Sequence, residues 1–239
     1  MRGAVSSFSS LNTSPPPCSA ILPPRWPALL AAPLVVTRCR FNHWGLHDDR
    51  EIIVYDQGKG LFSARAWWIL TWAGVKGVRI LDGGLAAWER AGYQIVGGPG
   101  NLGRGQAQEV VAGQLPVATI DEVKNFDGVL IDTREANRYA GRKERLDLKA
   151  GHIPGAVSVP TREILNPDNT FRPAEEIRAT FEKVGVTDPN NVIVYSGSGV
   201  HSAQAIAAMH HAGLPGAALY LGGWSQWCAD RNNPVERSD

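Results

Sequence analysis

Residues 192–204 read VIVYSGSGVHSAQ and combine the residue types with which a chain can bind an anion. A run of β-branched residues predicts a buried strand, a short glycine-containing loop follows, and a helical pattern comes next. Backbone N–H groups at the N-terminus of such a helix bind anions without any special side chain. We therefore predict an anion-binding loop formed by these residues: Gly197, Ser198, Gly199, Val200, His201 and Ser202.

Ser196 occupies the first position of this loop, where a nucleophile would lie. A hydrolase pair of Ser196 with His201 is disfavoured, because the G-x-S-x-G pattern is absent and no acidic residue is evident that could orient His201. An ordinary strand-to-helix turn is the structural alternative to an anion site. The chemistry of Ser196 is therefore the central question that the sequence raises.

The composition excludes several classes of partner. The chain has 239 residues and a formal net charge of +1, which favours neither nucleic acid nor an anionic membrane. No apolar run is long enough to span a bilayer. Its 3 cysteines have no metal-ligand spacing and form no even-numbered disulfide framework. We expect a cytoplasmic protein without a metal or a cofactor.

An internal repeat organises most of the chain. Residues 52–88 align with residues 192–227 with a single one-residue gap in the loop, so that Tyr55 matches Tyr195 and Trp88 matches Trp227. Each copy predicts a strand, a tight loop, a helix, a second strand and a Gly-Gly turn into another helix. Strands that alternate with helices indicate an α/β fold, a parallel β-sheet flanked by helices on both faces.

The two copies are not equally long. The second copy begins with further elements, including the predicted strand GVLIDTRE at 128–135 and an amphipathic helix at 173–185 with Thr170 as a capping residue upstream. Recognisable partners for these opening elements are missing from the first copy. We predict a truncated domain at 44–98, a linker at 99–115 and a complete domain at 116–239.

Residues 1–43 differ from the rest in composition. No Asp or Glu precedes Asp48, and 7 of the 16 prolines fall within residues 15–33. Such a segment predicts disorder or a spurious N-terminal stretch. An organelle transit peptide or a poor signal-peptide core stays open as an alternative.

The motifs of the second copy resemble those of tandem rhodanese-type sulfurtransferases, the thiosulfate/3-mercaptopyruvate sulfurtransferase family. That family carries LLDxR, RYxG, GHIPGAVxxP, VxVYCGSGVTAA and ALYxGSWSEW in this order. The matching segments here are 131–134, 138–139, 151–157, 192–203 and 218–227, and with residues 44–98 the resemblance covers about three quarters of the chain. The resemblance implies a rhodanese-like fold.

The resemblance also implies a reaction, the transfer of sulfane sulfur from thiosulfate or 3-mercaptopyruvate to a thiol or cyanide. Its partners would be a small anionic sulfur donor and a thiol or cyanide acceptor. In relatives that use mercaptopyruvate, the arginines at the positions of Arg134 and Arg138 hold the substrate carboxylate. The alternative for these two arginines is surface ion pairing with Glu135 or Glu144.

The family's catalytic cysteine falls at the position of Ser196. A cysteine thiolate ionises near neutral pH and forms an S–S bond, whereas a serine hydroxyl does neither. We therefore predict that this chain does not run a persulfide cycle at Ser196. Three interpretations stay open: an enzyme silenced or redirected by Ser196, a non-catalytic module that binds an oxyanion or a sulfur-carrying partner, and an introduced substitution or sequence error in an active enzyme.

Other polar and aromatic residues have structural interpretations. Asp132 is predicted to brace the loop at its strand end, and His152 to hydrogen-bond the GHIPGA turn. Cys228 is predicted to be a buried small residue on a helix. The tryptophans of the first copy are predicted to form one packed helix face, and they are Trp67, Trp68 and Trp72.

Overall fold

The computed structural model describes residues 45–47, 50–97, 105–106 and 111–238. The chain divides into two compact units, residues 1–114 and residues 115–239. The segment 1–43, for which the sequence predicts disorder, lies outside the described residues. The narrower limits predicted for the truncated domain and the linker stay predictions.

The first unit contains one copy of the repeated pattern. Its elements are β1 (Ile52–Val54), α1 (Leu61–Trp72), β2 (Val78–Ile80) and α2 (Gly84–Arg90). Strands β1 and β2 pair in parallel, with Ile52 opposite Val78. The order strand, loop, helix, strand, helix is the one that the repeat predicts.

Helix α1 buries most of its tryptophan face. Trp68 is 0% exposed and Trp72 is 8% exposed, and their rings stack with centroids 6.3 Å apart. Trp67 is half-buried. The prediction of a packed helix face is confirmed for Trp68 and Trp72.

The second unit is a five-stranded α/β domain. Its strands are β3 (Val117–Ala118), β4 (Val129–Asp132), β5 (Val157–Ser158), β6 (Val192–Tyr195) and β7 (Ala218–Tyr220). Its helices are α3 (Ile120–Lys124), α4 (Ala136–Tyr139), α5 (Ala174–Lys183), α6 (Val200–His211) and α7 (Gly223–Ala229), and two short 3₁₀ turns lie at Thr161–Glu163 and Pro189–Asn191.

The sheet of the second unit is parallel and has the strand order β3-β7-β6-β4-β5. The central pair β4 and β6 is in register over four residues, from Val129 opposite Val192 to Asp132 opposite Tyr195. These strands therefore end side by side. The segments that follow Asp132 and Tyr195 meet at the carboxyl edge of the sheet, where ligands of open α/β sheets bind. The α/β fold class predicted from the sequence is confirmed.

The capping prediction for α5 is wrong. The helix begins at Ala174, with Pro173 as N-cap and no side-chain capping bond. Thr170 instead bonds locally, since its hydroxyl donates to the Asp168 carboxylate at 2.6 Å. A residue three positions before the N-cap is too far away to reach the free N–H groups of the first turn. The amphipathic pattern itself holds, because Ile177 and Phe181 are buried.

None of the helices in the described part of the chain is long and apolar enough to cross a lipid bilayer.

Candidate active site

The candidate site is the 196–202 loop, which joins the fully buried strand β6 to helix α6. The start of the loop is anchored by Thr133, the residue after β4, which donates both its backbone N–H and its hydroxyl to the carbonyl of Tyr195 at the end of β6, each at 3.0 Å. It is anchored from α7 as well, where Trp224 donates its N–H to the Ser196 carbonyl at 2.8 Å. Two neighbouring elements therefore fix the backbone of the loop.

Two glycines are required by this geometry. Gly199 is the N-cap of α6 in the left-handed conformation, with φ 84°. Gly223 also has a positive φ, 54°, and a Cβ added there would collide with the carbonyl oxygen of Ser196. The close approach of α7 to the loop thus depends on the absence of a side chain at residue 223.

Ser196 is 0% exposed, and its hydroxyl bonds within the loop. The hydroxyl oxygen accepts the N–H of Gly199 at 3.0 Å and lies 3.2 Å from the hydroxyl oxygen of Ser202. No hydrogen bond joins Ser196 to His201 within the part of the chain that the structure describes. The geometry therefore does not support a hydrolase pair of Ser196 and His201.

Three backbone N–H groups follow the N-cap of α6. Those of Val200, His201 and Ser202 form no hydrogen bond with any described residue. They belong to the first turn of a 12-residue helix, where the helix dipole favours negative charge. The end of α6 therefore has donors available for an anion.

The corresponding loop of the first unit, residues 56–63, is occupied by its own side chain. The Oδ1 atom of Asp56 accepts the N–H groups of Gly58 at 2.8 Å and Gly60 at 3.0 Å. Its Oδ2 atom accepts those of Phe62 at 3.1 Å and Ser63 at 3.4 Å. A loop of this type in the same chain thus accommodates one carboxylate.

Arg134 is a buried brace, with a side chain only 1% exposed. Its guanidinium pairs bidentately with Asp132, with Nη2 2.6 Å from Oδ2, and Nη2 also donates to the carbonyl of Gly151 at 2.6 Å. The group lies 4.6 Å over the ring of Trp224. Burial alone would lower the pKa of Arg134, but the hydrogen bonds and charge of Asp132 outweigh it and raise that pKa. A substrate-binding role for Arg134 stays a prediction.

Arg138 lies beside the loop and is paired with two acids. Its Nε and Nη2 atoms donate to Glu144 at 3.1 and 3.0 Å, and Nη2 also donates to Asp147 at 2.6 Å. The remaining nitrogen, Nη1, lies 3.6 Å from the place that a Cβ on Gly197 would occupy. The alternative given above for Arg138, an ion pair with Glu144, is present in the structure. A substrate-binding role for Arg138 stays a prediction.

The sequence did not predict Asp147 or the role of Glu144 in ordering its own segment. The Oε1 atom of Glu144 accepts the N–H groups of Arg145, Leu146 and Asp147 at 2.9, 2.9 and 3.2 Å. Burial raises the pKa of Glu144, but these backbone hydrogen bonds and Arg138 lower it by more, and the net pKa is lowered. Residues 140–150 have no helical or strand period that could have indicated these bonds.

His201 and the structural residues complete the surroundings. Burial lowers the pKa of His201 below 6.5, and the charge of Glu135 acts in the opposite direction. His152 is 2% exposed and has a structural role, as predicted. Its ring does not bond the GHIPGA turn, however: Nδ1 bonds the carbonyl of Tyr139 at 2.8 Å, and the imidazole stacks on the Tyr139 ring. The buried thiol of Cys228 donates within its own helix to Ser225, at 3.6 Å.

A parallel α/β unit with a glycine-containing loop between a central strand and a helix N-terminus is the architecture of open α/β domains, whose ligands bind at the carboxyl edge of the sheet. The family model of the rhodanese-like domain matches residues 31–91 and 118–230, well over half of the chain. The chain belongs to the rhodanese family, within its thiosulfate/3-mercaptopyruvate sulfurtransferase branch.

Two relatives illustrate this assignment. The "Probable 3-mercaptopyruvate sulfurtransferase" of Pseudomonas aeruginosa is 38% identical over 205 residues, which cover 84% of this chain and 72% of that protein. The 3-mercaptopyruvate sulfurtransferase of Escherichia coli is 36% identical over 198 residues, covering 80% and 70%. Homologues of this chain are thus named as sulfurtransferases.

Among solved structures, the anaerobic ergothioneine biosynthesis enzyme from Chlorobium limicola, in complex with trimethyl histidine, has a TM-score of 0.75 at 24% identity. The similarity covers 87% of this chain and 55% of that one. This likeness establishes the fold alone, and the chain spans little more than half of that enzyme's length.

Proposed function

We propose that the 196–202 loop is the donor site of a sulfurtransferase that acts on thiosulfate or 3-mercaptopyruvate and passes sulfur to a thiol or cyanide. We further propose that Ser196 leaves this chain able to bind the donor but unable to take up its sulfur. Family membership and the names of the relatives support the reaction class. The geometry of the loop supports the second proposal, that the chain binds the donor without taking up its sulfur.

The observation that carries the proposal is the difference between the two loops. In the 56–63 loop, four N–H groups bind the Asp56 carboxylate. In the 196–202 loop the first residue is an uncharged, shorter serine that accepts one N–H, from Gly199. The N–H groups of Val200, His201 and Ser202 bond no described residue, so an external oxyanion is their natural ligand.

The transfer step requires a thiolate at residue 196. A cysteine thiolate would attack the sulfane sulfur of thiosulfate, the S–S bond of the donor would break, and sulfite would leave with the electron pair. Cyanide would then attack the outer sulfur of the persulfide, release thiocyanate and regenerate the thiolate. With 3-mercaptopyruvate the C–S bond breaks, and the carbon takes up a proton to give pyruvate.

Serine supports neither half of this cycle. Its hydroxyl does not ionise near neutral pH, and an O–S bond would not serve as a sulfur carrier. The hydroxyl of Ser196 also interacts with Gly199 and Ser202. These bonds favour the second candidate function, a non-catalytic module that binds an oxyanion or a sulfur-carrying partner.

The test compares the natural chain with Ser196→Cys in thiocyanate formation from thiosulfate and cyanide. Pyruvate formation from 3-mercaptopyruvate is measured in parallel. Ser198→Cys is the matched control, because it places a thiol on an exposed position of the same loop. We expect turnover by Ser196→Cys alone. Calorimetric titration of the natural chain with thiosulfate is expected to show binding.

Each other outcome is informative. Turnover by the natural chain would contradict our interpretation of Ser196 and direct attention to another thiol, Cys228 first. Binding by both proteins without turnover by Ser196→Cys would favour the non-catalytic module. Failure of the natural chain and of Ser196→Cys to bind thiosulfate would overturn the assignment of the donor site to the loop.

A further inference from the structure

The guanidinium of Arg138 is only partly available to a ligand at the loop. A guanidinium has two edges that present parallel N–H pairs to a carboxylate, one formed by Nε with Nη2 and one formed by Nη1 with Nη2. Glu144 occupies the first edge, at 3.1 and 3.0 Å. Asp147 occupies the Nη2 end of the second, at 2.6 Å.

The nitrogen left over is the one beside the loop. Nη1 of Arg138 forms no hydrogen bond with any described residue and lies 3.6 Å from the Cβ position of Gly197. The charge of Arg138 also contributes to lowering the pKa of His201, the second residue of α6. The guanidinium therefore lies beside the loop at Gly197 but can offer a ligand a single nitrogen.

We propose that Glu144 and Asp147 set the donor specificity of the 196–202 loop, so that it accepts thiosulfate in preference to a donor that carries a carboxylate, such as 3-mercaptopyruvate. This inference rests on the proposed function, since it specifies which donor the same loop takes. It assigns a specificity role to two residues that do not need to touch the donor. They act by holding Arg138.

The two donors place different demands on the site. In thiosulfate the oxygens are on the sulfur next to the sulfane sulfur, so the N–H groups of Val200, His201 and Ser202 can hold them close to residue 196. In 3-mercaptopyruvate a keto carbon separates the carboxylate from the sulfur-bearing carbon. That carboxylate needs paired donors beside the loop, which is what Arg138 would supply if its edges were open.

The side chains of the acids are well placed to hold this arrangement. The side chains of Glu144 and Asp147 are 5% and 9% exposed, so water competes little for their bonds to Arg138. Glu144 also accepts three backbone N–H groups of its own segment. A donor carboxylate would have to displace one of these acids from Arg138, and the loss of that charge-assisted bond opposes its binding.

The test measures two dissociation constants by calorimetry, for thiosulfate and for 3-mercaptopyruvate, in the natural chain and in Asp147→Asn. The natural chain is suitable because Ser196 keeps the donors from reacting. We expect it to bind thiosulfate more tightly. Asp147→Asn is expected to shift the ratio of the two affinities at least about fivefold towards 3-mercaptopyruvate, because a charged hydrogen bond no longer competes for Nη2.

Glu175→Gln is the matched control. It removes one negative charge from an exposed position on α5 without touching Arg138, and it is expected to leave the ratio unchanged. Glu144→Gln is the second variant, since it releases the other edge of Arg138 and is expected to shift the ratio in the same direction. An unchanged ratio in both variants, or a natural chain that prefers 3-mercaptopyruvate, would overturn the inference.

The kinetic arm separates this inference from the proposed function. In the Ser196→Cys background, Asp147→Asn is expected to raise kcat/KM for 3-mercaptopyruvate relative to thiosulfate. Turnover with no change in that preference would reject the specificity role and leave the sulfurtransferase proposal intact. A shift in the binding ratio without any turnover would support the role of Glu144 and Asp147 and reject the catalytic proposal.

Discussion

The hydroxyl oxygen of Ser196 accepts the backbone N–H of Gly199 across 3.0 Å, so the first side chain of the loop bonds the N-cap residue of α6. In the first unit Asp56 makes the equivalent bond to Gly60, also at 3.0 Å, and adds three more. The two loops share a backbone pattern and differ in the charge at their first position. That charge decides whether the chain itself supplies the anion.

Replacement of Asp56 by alanine should empty the 56–63 loop. Four backbone N–H groups lose their acceptor, and loss of a capping side chain costs about 1–2 kcal/mol of local stability. We expect faster amide hydrogen exchange at Gly60, Phe62 and Ser63. Added sulfate is expected to restore part of the protection, because the emptied loop can bind it.

Asp56→Asn provides the graded control for this experiment. It keeps one carbonyl oxygen as an acceptor and removes the charge, so its exchange rates should lie between those of the natural chain and Asp56→Ala. Exchange rates in Asp56→Ala equal to those of the natural chain would show that the carboxylate does not hold the loop.

Gly223→Ala should destabilise the second unit strongly. The residue has φ 54°, and an added Cβ would collide with the carbonyl oxygen of Ser196 and would meet that of Gly197. Backbone strain and displacement of α7 from the loop together should cost more than about 2 kcal/mol in the free energy of unfolding, measured by urea titration.

Gly155→Ala separates the two causes. Gly155 also has a positive φ, 77°, but nothing lies within 4 Å of an added Cβ. This variant should show only the conformational cost, about 1 kcal/mol. Equal losses in the two variants would argue that the approach of α7 to the loop contributes nothing to stability.

Local pattern was sufficient to predict the α/β class, the loop and the repeat. The loop between β6 and α6 follows from adjacent residues, and the alternation of strands and helices follows from hydrophobic runs. The parallel pairing of β4 with β6 then places Arg134, Arg138 and the loop at the same edge of the sheet. These features depend on short-range sequence signals and on general rules of sheet topology.

The partners of the two arginines could not be predicted in the same way. Glu144 and Asp147 lie in a segment without regular period, and their bonds to Arg138 depend on how that segment folds back. Arg134 carries the same charge as Arg138, yet its side chain is buried because it pairs with the buried carboxylate of Asp132. Burial and ion pairing arise from tertiary contacts, which sequence spacing does not specify.

The lowered pKa of Glu144 predicts an acid limit to stability. A carboxyl whose pKa is lower in the folded chain than its ordinary 4.5 stabilises the fold above that value, and the contribution is lost as pH falls through the folded pKa. The natural chain should therefore lose stability below pH 4.5. Glu144→Gln should be less stable at neutral pH and should lose less on acidification, as measured by urea titration across pH.

An exposed acid supplies the comparison for this measurement. Glu175→Gln removes a carboxylate from the surface of α5 and should leave the acid limb of the stability curve as it is in the natural chain. An acid limb that is the same in Glu144→Gln as in the natural chain would mean that other carboxylates account for the loss.

The lowered pKa of His201 predicts that anion binding is linked to proton uptake. Burial keeps the imidazole neutral at pH values where an ordinary histidine, with a pKa of 6.5, begins to protonate. An anion bound at the neighbouring N–H groups would favour the charged imidazole and raise that pKa. Sulfate affinity should therefore increase as pH falls below 6.5, and calorimetry in buffers of different ionisation enthalpy should detect proton uptake.

Two histidine variants test whether His201 is responsible. His201→Gln should remove both the pH dependence and the proton uptake, whereas His211→Gln, at the exposed far end of α6, should retain them. A sulfate affinity that does not change with pH in the natural chain would show that the protonation of His201 is not linked to the bound anion.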